Sequence, residues 1–238
     1  MSILCVIGAR GDSKGLPGKN IRLLLGKPLI VWSVEQALCC PEITRVVVST
    51  NSEEIVAIAR KAGAEAPFLR PWGLATDRAG KFQVWQHALV ECERYYGEKY
   101  ECFVDLDCTN PLRDVADISS AVQQFRESRK RGVDAVLSVC LARKNPYFNM
   151  LEVNPNGALR VCKDSPKPIV RRQDAPTVYD HVASIYVLDP AYLRRASCLL
   201  EGHVEGYDIG AAKSFDVDSE LDFRIIEMLM KDKFSTAS

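Results

Sequence analysis

Short apolar runs alternate with amphipathic stretches along the first 140 residues. The runs at 3–7, 45–49, 66–69, 102–106 and 135–139 are β-branched or apolar without polar alternation, the pattern of strands buried on both faces. Between them, apolar residues return at helical spacing. Leu29, Trp32, Val34 and Leu38 predict a helix over 28–39 with Pro28 at its first position. Ile55, Ile58 and Ala59 predict a second, capped by Ser52 and stopped at Gly63. Val84, His87, Ala88 and Cys92 predict a third over 83–96, ending at Gly97, and a fourth runs from Asp114 or Asp117 to about 131. Strand and helix in alternation predict an α/β fold, Rossmann-like, with a doubly wound and mostly parallel sheet.

The pattern breaks over 140–183. Five of the twelve prolines fall there, around a hairpin signal at Asn154-Pro155-Asn156-Gly157 with alternating stretches on either side. With no sharp shift in composition, this reads as an inserted β-rich arm within one domain spanning 1–238. A strand at 184–188, a helix at 190–199 and a last helix capped by Ser219 complete the expected order. The arm's Tyr147, Phe148, Met150 and Leu151 exceed what slight hairpins can bury, so the arm is expected to form a homodimer interface.

Composition narrows the function classes. The formal net charge is zero and 47% of residues are hydrophobic, so no charge excess points to nucleic acid or an acidic membrane surface. No apolar stretch approaches the length of a membrane span. The chain passes from Met1 into an apolar strand with no basic leader, so a cytoplasmic location is expected. The nine cysteines are scattered, and the adjacent pair Cys39-Cys40 lacks chelating spacing.

The chemistry concentrates in the loop after the first strand, GARGDSKGLPGKN over 8–20. Four glycines let the backbone approach a ligand, and Arg10, Lys14 and Lys19 supply three cations, the composition of a polyphosphate cradle. It is neither a Walker A loop, since Asn20 follows Gly18-Lys19, nor a dinucleotide fingerprint, since Arg10 stands where the second glycine belongs. The plainer alternative is a solvated, basic connection. Open α/β sheets bind ligands beyond the carboxyl ends of their strands, where the loops after Ile7, Leu69 and Leu106 lie. Near the other end, Asp216-Val217-Asp218 places two carboxylates one residue apart, either a cation pair or a helix cap with a solvated charge.

Taken in order, these segments resemble the CMP-sialic acid synthetases, or acylneuraminate cytidylyltransferases. The first motif is Ala9-Arg10 through Ser13-Lys14-Gly15 to Lys19-Asn20. The second is Leu69-Arg70-Pro71 with Leu74-Ala75 and Asp77, and the third is the TNPLR run from Thr109 to Arg113. Arg172-Gln173 with Pro176 and Ser184-Ile185-Tyr186 is similar to the fourth, and the run from Phe215 to Asp222 to the fifth. The resemblance implies the fold of the nucleotide-diphospho-sugar transferases. It also implies a reaction in which the anomeric hydroxyl of a nine-carbon 2-keto acid attacks the α-phosphorus of CTP, giving a CMP-sugar and pyrophosphate.

It implies roles as well. Arg10, Lys14, Lys19 and Asp218 would be catalytic. Ala9, Arg10, Gly11, Ser13, Asn20, Arg70 and Asp77 would bind nucleotide. Asp107, Thr109, Arg172 and Tyr186 would bind sugar, and Asp216 and Asp218 would hold Mg²⁺. Asp107, Cys108 and Asn110 replace the family's usual Gln, Pro and Ser, Lys81 stands where Ser is common, and Val182 where Asn is. VDLD at 104–107 and NPYFNM at 145–150 resemble a bacterial branch acting on legionaminate-like nonulosonic acids; N-acetylneuraminate and KDN are the other candidate sugars. The alternatives are a KDO-type cytidylyltransferase and a catalytically silent nucleotide-binding homologue.

Overall fold

The structure, a computed structural model, describes residues 2–12, 15–76 and 78–235. In chain order it contains β1 (Ile3–Gly8), β2 (Leu23–Leu24), β3 (Lys27–Pro28), α1 (Leu29–Leu38), β4 (Arg45–Ser49), α2 (Glu53–Lys61), α3 (Lys81–Tyr96) and β5 (Cys102–Leu106). There follow α4 (Val115–Arg129), β6 (Ala135–Leu141), β7 (Leu151–Val153), β8 (Leu159–Val161), β9 (Tyr179–Leu188), α5 (Pro190–Arg195), β10 (Val204–Asp208) and α6 (Glu220–Ser235). The central sheet has the order β10-β6-β9-β5-β1-β4, parallel except for β9, which lies antiparallel between β5 and β6.

The sheet is buried on both faces, which is why its strands read as unbroken apolar runs. Ile3, Cys5 and Ile7 face a core built with α1, α2 and α4, through Ile30, Val34, Ile55, Ala59, Ile118 and Phe125. Leu4, Val6 and Phe103 face the other side, where Phe82, Trp85 and Leu89 of α3 and Tyr192 of α5 close the layer. α6 and the small β2–β3 ribbon form a third cluster around Leu24, Leu29, Phe223 and Ile226.

Several sequence expectations are corrected. The strand expected at 66–69 does not form: one parallel bridge joins Glu65 to Val47, and Pro67, with no N–H to donate, halts the ladder. Pro28 is extended (φ −53°, ψ 137°) and precedes α1 instead of opening it. The helix expected over 190–199 stops at Arg195. The strands at 135–139 and 184–188 are longer than expected, because β6 and β9 continue into each other beyond a register shift, pairing Cys140 with Asp180 and Leu141 with Tyr179. Both ends of the arm are therefore sheet. Its middle is the β7–β8 hairpin, turned at Gly157 with φ +85°.

Candidate active site

β1 and β5 are parallel neighbours, so Gly8 and Leu106 bring their following loops to one edge of the sheet. A cavity of about 340 Å³ opens there, lined in part by Arg10, Lys19, Asn20, Arg70, Lys81, Asp107 and Thr109.

The loop after β1 is fixed at each end. The Ala9 N–H donates to Ser49 O (3.1 Å) and the Gly11 N–H to Asn51 Oδ1 (3.0 Å). Gly18, at φ +65°, turns the chain into the short helix Lys19–Ile21. Asn20 Nδ2 donates back to Arg10 O (2.9 Å), and the Cys108 thiol donates to Asn20 Oδ1 (3.1 Å).

The loop also presses on the acidic segment. A Cβ on Gly15 would come within 2.6 Å of Asp218 O, closer than real contacts allow, so only glycine fits this approach. Lys19 Nζ donates to Val217 O (2.6 Å) and pairs with Asp218 Oδ1 (3.0 Å). The Val217 N–H donates to Thr109 O (2.9 Å), which ties the acidic segment to the loop after β5. Three segments distant in sequence thus share one knot of hydrogen bonds.

Asp216 and Asp218 do not cap α6. Ser219 and Asp222 form a reciprocal cap, with the Ser219 N–H donating to Asp222 Oδ2 (2.7 Å) and the Asp222 N–H to Ser219 Oγ (3.3 Å). Burial pushes the Asp216 carboxyl above the usual range, and the charges of Asp218 and Asp107 push it further against the opposing Lys19. Among the described residues no three His, Cys, Asp or Glu side chains group as a metal site. A magnesium ion needs only one or two carboxylates beside substrate phosphates, so a crowded pair of carboxylates suits it.

Arg70 is buried under the cavity. Its Nε donates to Ser49 Oγ (3.1 Å) and its Nη2 to Ser49 O, 3.3 Å from where a Gly8 Cβ would stand. Burial lowers its pKa to about 10, which leaves it charged at neutral pH. Asp107 Oδ1 accepts from the Thr109 N–H (3.0 Å) and hydroxyl (2.8 Å), and Oδ2 from Lys81 Nζ (2.7 Å). Burial works against its ionisation, but the Lys81 ammonium and the Thr109 donors outweigh it and hold the pKa at about 2.

Of the sequence-derived candidates, Arg10, Lys19, Asn20, Arg70, Asp107 and Thr109 line one cavity. Ala9 is buried and Gly11 lies against Asn51 and Ser52. Asp218, with Asp216 two residues before it, joins this group through Lys19. Tyr186 is buried beneath Lys81, whose ammonium stands 4.3 Å from its ring centre. Arg172 is not brought to the cavity: in the arm its Nη2 donates to Ala142 O (2.9 Å), and it lines a separate hollow with Asn145 and Pro176. Ser13, Lys14 and Asp77 lie outside the described residues.

Three contributors were not among the candidates. Asp105 is fully buried at the cavity floor, Lys81 pairs with it, and Arg113 is fully buried, its Nη1 donating to Asp107 O (2.9 Å) and Asn110 O (2.7 Å). A carboxylate inside the otherwise apolar run CFVDL was the available signal for Asp105.

The cytidylyltransferase family profile matches residues 4–231. The post-translational flagellin modification protein B of Campylobacter coli is 38% identical over 231 residues, covering 97% of this chain and 96% of that protein. The CMP-N,N'-diacetyllegionaminic acid synthase of Campylobacter jejuni is 38% identical over 228 residues, covering 96% and 94%. Among solved structures, a CMP:2-keto-3-deoxy-manno-octonic acid synthetase complexed with CTP shares the fold at a TM-score of 0.72 and 18% identity, over 98% of this chain and all of that one. The knot of loops at the sheet edge is thus carried on a nucleotidyltransferase fold, and the chain belongs to the cytidylyltransferase family.

Proposed function

We propose that the protein couples CTP to a nonulosonic acid, a legionaminate-like 2-keto sugar, and releases pyrophosphate. The observation that carries this reading is the Lys19 contact. It holds a cation of the glycine loop against the acidic pair, so that a triphosphate lying there would meet both positive charge and carboxylates. The 38% identity to a CMP-N,N'-diacetyllegionaminic acid synthase supports the choice of sugar.

In this reading Arg10 and Lys19, with Lys14, neutralise the triphosphate and the leaving pyrophosphate, where charge grows in the transition state. Ala9, Gly11, Ser13, Asn20, Arg70 and Asp77 belong to the nucleotide side, with Arg70 aimed by Ser49 and Asn20 locked by Arg10 O and Cys108. Asp107 and Thr109 shape the sugar side, and Tyr186 supports it from below. Asp216 and Asp218 are the carboxylates that would hold Mg²⁺, which when bound draws charge from the α-phosphate and its bridging oxygen.

The arm supports a homodimer. Val153, Leu159 and Val170 are between 65% and 78% exposed, with Leu151 and Leu141 beside them in exposure, an apolar surface the chain does not cover itself. In such a dimer Arg172 would belong to the sugar pocket of the neighbouring copy. No helix among the described residues is long and apolar enough to cross a membrane, which is compatible with a cytoplasmic enzyme.

The test is pyrophosphate release from CTP with Mg²⁺ and a panel of nonulosonic acids, with KDO included. Turnover highest on a legionaminate-type acid is expected. Turnover on KDO alone, or none on any acid by folded protein, overturns the proposal.

A further inference from the structure

The corner of the cavity beside the loop after β5 holds three charged groups, one on α3, one on β5 and one in that loop. Lys81 opens α3, and its Nζ lies 2.9 Å from Asp105 Oδ2 and 2.7 Å from Asp107 Oδ2. It also stands over the faces of Tyr186 (4.3 Å) and Trp85 (5.4 Å), so aromatic rings floor it while the carboxylates flank it.

An ammonium has three N–H donors, and two carboxylate contacts leave a third. The Lys81 side chain is 37% exposed and lines the cavity, so that donor has access to a ligand. Asp107 is the more committed group, since both its oxygens already accept, from Lys81 and the two Thr109 donors, and its side chain is only 19% exposed. Asp105 is fully buried, and its oxygens make no hydrogen bond among the described residues; the off-line contact to Lys81 compensates its charge. At this corner the residue that meets the substrate is therefore the lysine, and the two aspartates aim it.

Charge decides what the lysine meets. An anion on that third donor would lie beside the two carboxylates already held on the same nitrogen, which favours an uncharged acceptor oxygen there, while the buried Arg70 and Arg113 guanidiniums offset the two carboxylates from further off. Its position favours the sugar over the nucleotide. Lys81 contacts the loop after β5 and stands over β9, the strand that runs out into the arm, whereas Arg10 and Lys19 stand on the loop after β1.

We propose that Lys81 donates a hydrogen bond to a neutral oxygen of the sugar, a hydroxyl or an acylamino carbonyl, and is a specificity-determining residue for the acceptor substrate. This rests on the reading of the protein as a CMP-nonulosonate synthetase.

The test measures kcat/KM for the sugar and KM for CTP in Lys81→Met and Lys81→Gln. Because Lys81→Met strands a buried carboxylate, Lys81→Met/Asp105→Asn is measured beside it, removing the ammonium and the buried charge together. The expected result is a fall of about 10- to 100-fold in kcat/KM for the sugar, as for loss of a hydrogen bond from a charged donor, with KM for CTP within about twofold. Lys81→Gln, which keeps a neutral donor, should recover part of the loss. A sugar kcat/KM unchanged in the double variant, or a KM for CTP that rises as much as that for the sugar, overturns the assignment of Lys81 alone. A folded wild-type protein that turns over no nonulosonic acid overturns the proposed function with it.

Discussion

The cavity and the arm solve opposite problems. At the cavity, charged groups run from fully buried to exposed, yet they are tied within the chain: Arg113 to three carbonyls, Arg70 to Ser49, Asp107 to Thr109 and Lys81, and Lys19 to the acidic segment. In the arm the turn at 145–150 and the β7–β8 hairpin tie their own backbone, with Asn145 O accepting from the N–H groups of Phe148, Asn149 and Met150, yet Met150, Leu151, Val153, Leu159 and Val170 stay exposed and Tyr147 and Phe148 are only half-buried. A site that must present polar groups in a fixed geometry is completed by its own fold. A surface whose apolar residues find no cover within the chain is, in the proposed dimer, completed by a second copy.

The comparison breaks most sharply at the acidic pair. Asp218→Asn is expected to abolish Mg²⁺-dependent turnover, more severely than Asp216→Asn, while the thermal midpoint moves little because Ser219 and Asp222 still cap α6. Equal and small losses, or turnover that survives EDTA, would return the pair to a structural role.

Lys19→Ala comes next. Loss of a preorganised charged donor at the leaving group is worth about 2.7–4 kcal/mol in the barrier, and Lys14→Ala should cost a similar amount. A near-normal rate in both variants contradicts the phosphate role of the loop. Gly15→Ala should act on the same contact from the backbone side. Its Cβ would stand 2.6 Å from Asp218 O, so the loop must withdraw, with an expected loss of about tenfold or more in kcat and retained fold. Full activity in Gly15→Ala would show that this approach is not needed.

Much of the cavity was legible in the sequence because local chemistry announces it. An apolar strand running into four glycines and three cations has few other readings, and TNPLR and the Asp216-Asp218 pair are likewise contiguous. What the sequence hid lies in contacts between distant elements. Lys81 and Asp105 meet only because α3 packs over that face of β5, and nothing near either residue signals the other. β10 escaped because an edge strand reading VEGYD has neither an apolar run nor a clean alternation, and the expected strand at 66–69 failed on the single missing donor of Pro67. The arm's hairpin was legible from its turn, whereas the sugar-side role expected of Arg172 does not show within one chain, where it faces a hollow apart from the cavity.

On the arm side, Val153→Asp with Val170→Asp should convert a dimer to monomers in sedimentation without loss of fold, because both side chains are more than 60% exposed in the single chain. If Arg172 acts across the interface, mixing inactive Arg172→Ala with inactive Lys14→Ala chains should restore activity in confirmed heterodimers. A fully active monomer would remove the arm from the account, and heterodimers without recovery would remove only the trans role of Arg172.

The smallest expected effect is on pH dependence. The Asp216 carboxyl binds its proton more tightly than an ordinary aspartate, so protons compete with Mg²⁺ from a pH above the usual carboxylate value of about 3.9. Metal affinity should therefore begin to fall, as pH drops, before the ordinary carboxylate value is reached, with proton release on binding, and Asp216→Asn should flatten that dependence. Calorimetry in buffers of different ionisation enthalpy reads the released proton. Affinity that stays flat down to an ordinary carboxylate pKa would contradict the crowding of charge at Asp216.

A crystal structure with CTP and Mg²⁺ tests the central claim most directly. The account predicts a triphosphate lying between the glycine loop and Asp216 and Asp218, with the Lys19 ammonium moved from Asp218 onto a phosphate oxygen and the metal on the freed carboxylate. Nucleotide bound elsewhere, or bound here with the Lys19–Asp218 pair intact and no metal on either aspartate, would contradict it.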